Sequence, residues 1–272
     1  MKVSVVISTY NSPKWLEKVL WGYECQTYKH FELVIADDGS GEETRGIIDN
    51  FKALSTLEII HVWHEDRGFQ KSEILNKAIQ ASTTDYLIFS DGDCIPRKDF
   101  VAVHVRNAAS GYFLSGGYFM LPIATSHAIT KNDVAAGNAF EVGWLKENGL
   151  AGTYKTLKLT STGNLQKFLN FVTPAKATWN GHNSSGWKKD LLAVNGFNEQ
   201  MQYGGQDREL GERLMNKGIR GKQIRYSAVC IHLEHQRGYK TSESIQKNKN
   251  IRKETKSQKK TWTDFGIVKD KG

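Results

Sequence analysis

Cysteine is scarce in this chain. Only three occur, Cys25, Cys94 and Cys230, far apart and in no Cys-x-x-Cys pair. An odd, dispersed set fits a reducing compartment better than a disulfide framework, which points to the cytosol. Long apolar runs are also missing: no segment approaches the ~18 residues that a transmembrane helix requires. The opening MKVSVVISTYN is apolar over too short a distance, and lacks the small-residue cleavage pattern, to read as a signal peptide. Two phosphate-binding signatures are absent as well. No GxxxxGK[ST] loop occurs, and no GxGxxG follows the first strand-like segment, so P-loop and dinucleotide readings lose their main support. A zinc-protease helix is excluded because Gly68 stands where the His64-Glu65 pair needs its second histidine.

What is present is an ordinary globular composition with an uneven charge. Hydrophobic residues make up 39% and aromatics 11%, enough to build a core. The formal charge is +8, but from Lys240 to Gly272 ten Lys or Arg face four acids, so +6 of it lies in the last stretch. The body is close to neutral, which argues against a nucleic-acid platform. The Lys-rich terminus, with Trp262 and Phe265 set among charges, has two readings: a solvated, partly disordered tail, or attachment to an anionic membrane leaflet. The expected division is one domain over 1–240 with halves 1–110 and 111–240, followed by a basic tail over 241–272.

The first hundred residues alternate between strand and helix patterns. KVSVVIS is short and β-branched; SPKWLEKVLWGYECQ follows, with Ser12 as a cap, Pro13 at the first helical position and Trp15, Leu16, Val19, Leu20 and Tyr23 on one side. FELVIA (31–36), LEIIHVW and DYLIF (85–89) read as further strands, separated by helices carrying Ile47, Ile48, Phe51 and Leu54, then Ile74, Leu75, Ala78 and Ile79. This order predicts an α/β fold with a doubly wound, mostly parallel sheet whose ligands bind at the carboxyl ends of the strands. Beyond it, YFLSGGYFML is expected as one strand, 131–147 as helix, 148–178 as polar connection, 206–217 as helix with Gly218 ending it, and SAVCIHLEH as a last strand.

Acidic groups recur at the strand ends, as DDGS at 37–40 and DGD at 91–93. Asp91-Gly92-Asp93 reads either as a turn in which the aspartates cap their own backbone, or as paired carboxylates whose repulsion a divalent cation relieves. The position at a strand tip favours the cation. His232 and His235 in HLEH follow another apolar run; imidazole with carboxylate is a donor set that suits Mn²⁺, Zn²⁺ or Fe²⁺ better than Ca²⁺. In QYGGQDRELGERL, Gly204 and Gly205 allow positive φ or close approach, and Asp207 lies in the first helical turn, as a cap or as a working carboxylate.

Taken together, VSVVISTYN, VIADDGS, DRGFQKSEILNKAI, FSDGDCIPR, GHNSSGWKKDLLAVNGFNE, GGQDRELGERL and HLEH resemble family 2 glycosyltransferases of the GT-A fold, over about residues 1–240. The last three resemble the C-terminal segment of galactosyl- and N-acetylgalactosaminyltransferases, including chondroitin-polymerase-type enzymes. The resemblance implies a UDP-sugar donor, with Thr9 and Tyr10 on the nucleotide, Asp38 accepting the uracil imide N–H, Arg67 on the nucleotide or its diphosphate, and Asp91 on ribose or sugar. It implies Mn²⁺ (or Mg²⁺) on Asp93 with His235, and His232 as a further ligand. Asp207 falls where the family has its general base for inverting transfer, and Gly205 and Gln206 precede it beside the donor. Trp179, Asn183 and Trp187 are assigned to donor sugar and acceptor. The expected product is a surface polysaccharide or lipopolysaccharide linkage made on a saccharide or lipid-linked acceptor, with Gal or GalNAc transferred, by a cytoplasmic protein peripheral to the membrane. A GlcNAc or Glc transferase and a catalytically silent nucleotide-sugar-binding protein are the alternatives. Two departures stand out: Gln206 replaces the usual Glu, which bears on sugar preference, and Ile74-Leu75-Asn76 stands where many members have Ala-Arg-Asn.

Overall fold

A computed structural model describes residues 1–235 and 241–269. The strands are β1 (Val3–Thr9), β2 (Phe31–Asp37), β3 (Glu58–Trp63), β4 (Tyr86–Asp91), β5 (Cys94–Pro96), β6 (Tyr112–Ser115), β7 (Gly117–Met120), β8 (Ser184–Trp187), β9 (Arg220–Gln223) and β10 (Val229–His232). Seven of them form one sheet in the order β3-β2-β1-β4-β8-β6-β9, and β5-β10-β7 form a second. The expected doubly wound half is present: β3, β2, β1 and β4 run parallel. Mixed polarity enters at β8, which is antiparallel to both β4 and β6.

β1 and β2 are buried along their whole length. Strands covered on both faces lose the in/out alternation, which is why VSVVIST and FELVIAD read as near-continuous apolar runs. Their cover comes from α1 (Pro13–Glu24) and α2 (Glu42–Leu54) on one side and α3 (Lys71–Ala81) on the other, with two hydrophobic clusters flanking the sheet. α4 (Phe100–Asn107) extends the first cluster. Pro13 opens α1 as expected, although Ser12 makes no side-chain cap bond.

Several expectations past residue 110 are corrected. YFLSGGYFML is two strands, not one: β6 ends at Ser115, β7 begins at Gly117, and they belong to different sheets. Gly116 and Gly117 permit the switch, because a Cβ on Gly116 would lie 1.9 Å from Asn183 Oδ1 and one on Gly117 2.2 Å from the Arg225 carbonyl oxygen. The 131–147 helix is broken at Gly137, in left-handed backbone at φ 95, into α6 (Lys131–Ala136), a 3-10 turn and α7 (Val142–Glu147), after α5 (Ile123–Ala128). The polar connection carries α8 (Leu157–Thr160) and α9 (Gly163–Val172). α10 (Lys188–Ala193) and α11 (Gln206–Asn216) follow β8.

The basic terminus is not a free tail over 241–269. α12 (Ser242–Ser257) packs on α11, with Asn248 donating to the Gln202 and Tyr203 carbonyls and Arg252 paired to buried Glu212. Farther on, buried Asn195 donates to the Thr263 and Val268 carbonyls. α11 is itself pinned by Arg213, fully buried, which bonds Glu209 at 2.8 Å and the Gly196 carbonyl at 2.7 Å, while Thr255 of α12 donates to the same Glu209. The boundary expected at 240 therefore does not mark the edge of the folded unit. Arg252→Ala removes the bidentate partner of Glu212, which is only 6% exposed; the expected cost is about 1–3 kcal/mol, read as a lower denaturation midpoint in urea at unchanged m.

Candidate active site

β1, β2 and β4 end at one edge of the main sheet, and their register decides what meets there. Thr9 pairs with Asp37, and Ser8 with Asp91. The chain then turns tightly: Gly92 donates to the Ser8 carbonyl at 2.7 Å, and a Cβ at Gly92 would lie 3.0 Å from that oxygen. A cleft of about 590 Å³ opens over these ends, lined by β1-tip residues 8–12, by Asp38, by Gly68, Phe69 and Lys71, and by Asp91, Gly92, Asp93 and His235. Parallel sheets bind ligands at such an edge because successive loops diverge there.

Asp38 is buried, accepting from His64 at 2.8 Å and from the Gln70 backbone N–H at 3.0 Å. Burial raises its pKa, against the lowering effect of those bonds. Its neighbour Asp37 is structural: it accepts from the Ser40 N–H and contacts His61 at 3.0 Å. Tyr10 is half-exposed at the cleft mouth and donates to Asp66 at 2.8 Å. Asn11, in left-handed backbone at φ 42, accepts from the Gly41 N–H and so ties the β1 and β2 tips together.

The opposite wall is electrostatic. Asp91 Oδ1 accepts from Ser8 at 2.8 Å and from Lys71 Nζ at 2.6 Å. Burial works to lower the Lys71 pKa, but the carboxylates of Asp91, Asp207 and Asp93 outweigh it and hold the ammonium charged. Asp93 contacts His235 Nε2 at 2.7 Å and His232 Nε2 at 3.7 Å. Burial alone would raise the Asp93 carboxyl, yet the His235 hydrogen bond and the two imidazoles keep it below the usual carboxylate range. The second sheet creates this cluster, because β10 lies antiparallel to β5 with His232 opposite Cys94. His232 Nδ1 bonds the Leu233 carbonyl at 2.9 Å, which fixes the tautomer and leaves Nε2 as the donor atom facing Asp93. Cys94 Sγ is 3.2 Å from Asp93, but burial pushes its pKa up, so it stands there as a thiol that donates. A carboxylate with two imidazole nitrogens is a donor set that fits Mn²⁺ or a similar first-row cation.

Asp207 sits at the second position of α11, behind Gly204 and Gly205 at φ 115 and 96. Its carboxylate lies against Gly181, where a Cβ would stand 3.0 Å from Oδ1. Burial, aided by the charge of Asp91, pushes its pKa up to about 6, with Lys71 opposing. Asp207 is not among the residues lining the cleft, but these interactions couple it to the two groups that do. Gln206 is buried, and its Oε1 accepts the Gly204 N–H at 3.0 Å, so it shapes the turn that presents Asp207.

Three expected sugar-binding residues are corrected. Trp179 is fully buried, packed 5.3 Å from Phe89 and 5.7 Å from Phe113, with Gly186 and Gly211 making room for its ring and backbone. Asn183 is a buried node: it contacts His104 at 2.9 Å and donates to the Gly117 and Ala228 carbonyls, joining the two sheets. Trp187 packs edge-on to Tyr86 and donates to the Ala109 carbonyl. Arg67 is also misplaced by the expectation; it is half-exposed, pairs with Glu73 at 3.0 Å and does not line the cleft. Lys71, four residues on, occupies the cleft instead. The signal for it was a lysine at the first position of α3, aimed toward the acidic strand tips.

Residues 4–131 match the model of glycosyl transferase family 2, and residues 170–236 match that of the N-terminal domain of galactosyltransferase. Residues 4–131 thus form a glycosyltransferase family 2 domain. This glycosyltransferase is 27% identical over 247 residues to the chondroitin synthase of Escherichia coli, covering 85% of the chain but only 34% of that protein. Its fold is the GT-A fold. It superposes on the mannosyltransferase of Pyrobaculum calidifontis in complex with GDP-Man and Mn²⁺ with a TM-score of 0.58 at 19% identity, over 87% of this chain and 58% of that one. It superposes on TarS 1–349 of S. aureus in complex with UDP with a TM-score of 0.60 at 15% identity, over 95% and 68%. Among the described residues of this glycosyltransferase, no helix is long and apolar enough to cross a membrane.

Proposed function

We propose that the chain transfers a hexose, galactose or N-acetylgalactosamine, from a UDP-sugar to a saccharide acceptor with inversion, in the assembly of a surface polysaccharide or lipopolysaccharide. The observation that carries this reading is the convergence on one cleft of a nucleotide-sized cavity, Asp38, and the Asp91–Asp93–His232–His235 cluster, with Asp207 electrostatically coupled to it. Asp38 has a carboxylate at the β2 tip to accept the imide N–H, and Tyr10 offers a ring for the base. Asp91, held by Ser8 and Lys71, is oriented toward ribose or sugar. Asp93, His235 and His232 would hold Mn²⁺ or Mg²⁺. Such a cation, when bound, neutralises charge building on the diphosphate leaving group.

Asp207 takes the acceptor proton as the hydroxyl oxygen attacks the anomeric carbon. A base serves best with a pKa near the working pH, and burial supplies that shift. With the pKa up to about 6, Asp207 is protonated and idle at lower pH. The expected kcat/KM profile therefore falls tenfold per unit as pH drops below about 6 and levels above it, measured as UDP release at subsaturating donor.

The reading is tested by incubating the protein and Mn²⁺ with UDP-Gal, UDP-GalNAc, UDP-GlcNAc or UDP-Glc and a panel of oligosaccharides. Acceptor-stimulated UDP release with one galacto-configured donor supports it. Release confined to a gluco-configured donor reassigns the sugar, and none with any donor overturns the transferase reading.

A further inference from the structure

α9 is built inside out. In an amphipathic surface helix, the apolar stripe faces the core and the polar one faces water. Here no residue of α9 is buried. The face turned to the protein is polar: Gln166 donates to the Tyr226 carbonyl at 2.8 Å, and Asn170, one turn on, donates to Ser227 Oγ and accepts the Tyr226 N–H, both at 2.8 Å. The outer face carries Leu165, Phe168, Phe171 and Val172, all exposed, with Phe171 at 88%. Tyr154, 81% exposed, and Leu157 add to it from the preceding segment.

The segment that carries this face has charge of one sign. From 148 to 189 there is no Asp or Glu, and Lys155, Lys167 and Lys176 are exposed. Lys158, nearby, donates to the Tyr118 carbonyl; burial, and then the charges of Arg225 and Lys155, press its pKa down to about 8. The occupant must therefore be apolar and anionic together. A second copy of this chain fails that test, since a two-fold contact would set lysine against lysine. An anionic bilayer meets it, with phosphates at the level of the ammonium groups and acyl chains beneath them.

We propose that α9 and the 154–157 segment form a membrane-docking surface that inserts Phe168, Phe171 and Tyr154 into the interface of an anionic lipid leaflet. This surface is distinct from the Lys-rich terminus, where α12 is occupied in holding α11. The inference does not rest on the proposed reaction, since vesicle binding is read without turnover.

The test is sedimentation of the full chain with phosphatidylcholine vesicles, with and without phosphatidylglycerol. Binding is expected to the anionic vesicles, and Phe168→Ser with Phe171→Ser lowers the partition coefficient at least about tenfold. Because both rings are solvent-facing, thermal stability is expected to stay within a degree or so of the parent. Lys155→Glu, Lys167→Glu and Lys176→Glu together remove the preference for the anionic lipid. Equal binding by the double Phe variant overturns the proposal, as does loss of binding only when 241–272 is deleted. A concentration-dependent dimer that the Phe substitutions disperse, without vesicle binding by the parent, also overturns it and makes the face a contact between copies.

Discussion

Asp207→Asn is expected to lower kcat/KM by about 10²–10⁴-fold, the range that a positioned general base supplies, while the dissociation constant for the UDP-sugar changes little. The amide keeps the size of the side chain, so the turn at Gly204 and Gly205 and its packing on α12 persist. The same substitution raises stability. A carboxyl raised above its ordinary value of 3.8 to about 6 opposes folding: the native state is least penalised at low pH, and the penalty grows as pH rises through 6. At pH 8, Asp207→Asn is therefore expected to stabilise by on the order of 1–3 kcal/mol, less whatever its attraction to Lys71 contributed. Lower activity with a higher Tm separates this site from a merely structural aspartate, whose loss lowers both. Comparable turnover in the variant removes Asp207 from the role of base.

Asp93→Ala is expected to abolish the Mn²⁺-dependent part of donor binding and to lower kcat/KM at least about 10³-fold, because a cation on the leaving diphosphate is worth several kcal/mol. His235→Ala is expected to do the same more weakly. It leaves His232, whose Nδ1 is held by the Leu233 carbonyl, with its Nε2 beside the carboxylate. Titration of Mn²⁺ into each variant by calorimetry, at fixed donor, measures both. An Asp93→Ala protein with the parental response to Mn²⁺ places the cation elsewhere.

The part of this site that was legible in the sequence is the part built by strands buried on both faces. VSVVIST, FELVIAD and YLIFSD announce themselves as apolar runs, and in a parallel sheet the residue that ends each run must lie at the ligand-binding edge. Thr9, Tyr10, Asp38, Asp91 and Asp93 reach the cleft for that reason. The second sheet was not legible. Whether YFLSGGYFML is one strand or two depends on Asn183 and the Arg225 carbonyl, which crowd Gly116 and Gly117 from far along the chain. Trp179 and Asn183 were misread because an aromatic ring and an amide suit a saccharide and a buried junction equally well; only the surroundings decide. Arg67 and Lys71 are only four residues apart, but Arg67 lies in the loop, where Glu73 draws it outward, while Lys71 opens α3 and turns inward to Asp91. The basic terminus read as solvated because α12 buries small polar residues, Ser244, Asn248 and Thr255, rather than an apolar stripe.

One cleft is expected to bind a nucleotide-sugar together with a divalent cation. Calorimetric titration of the full chain with UDP-Gal, UDP-GalNAc, UDP-GlcNAc, UDP-Glc and a GDP-sugar, each with Mn²⁺ and with chelator, tests it most directly. Binding of a galacto-configured UDP-sugar that is lost on chelation is the predicted result. Absence of binding to every UDP-sugar in both conditions would contradict it, and would take the nucleotide role of Asp38 and the cation role of Asp93 down together.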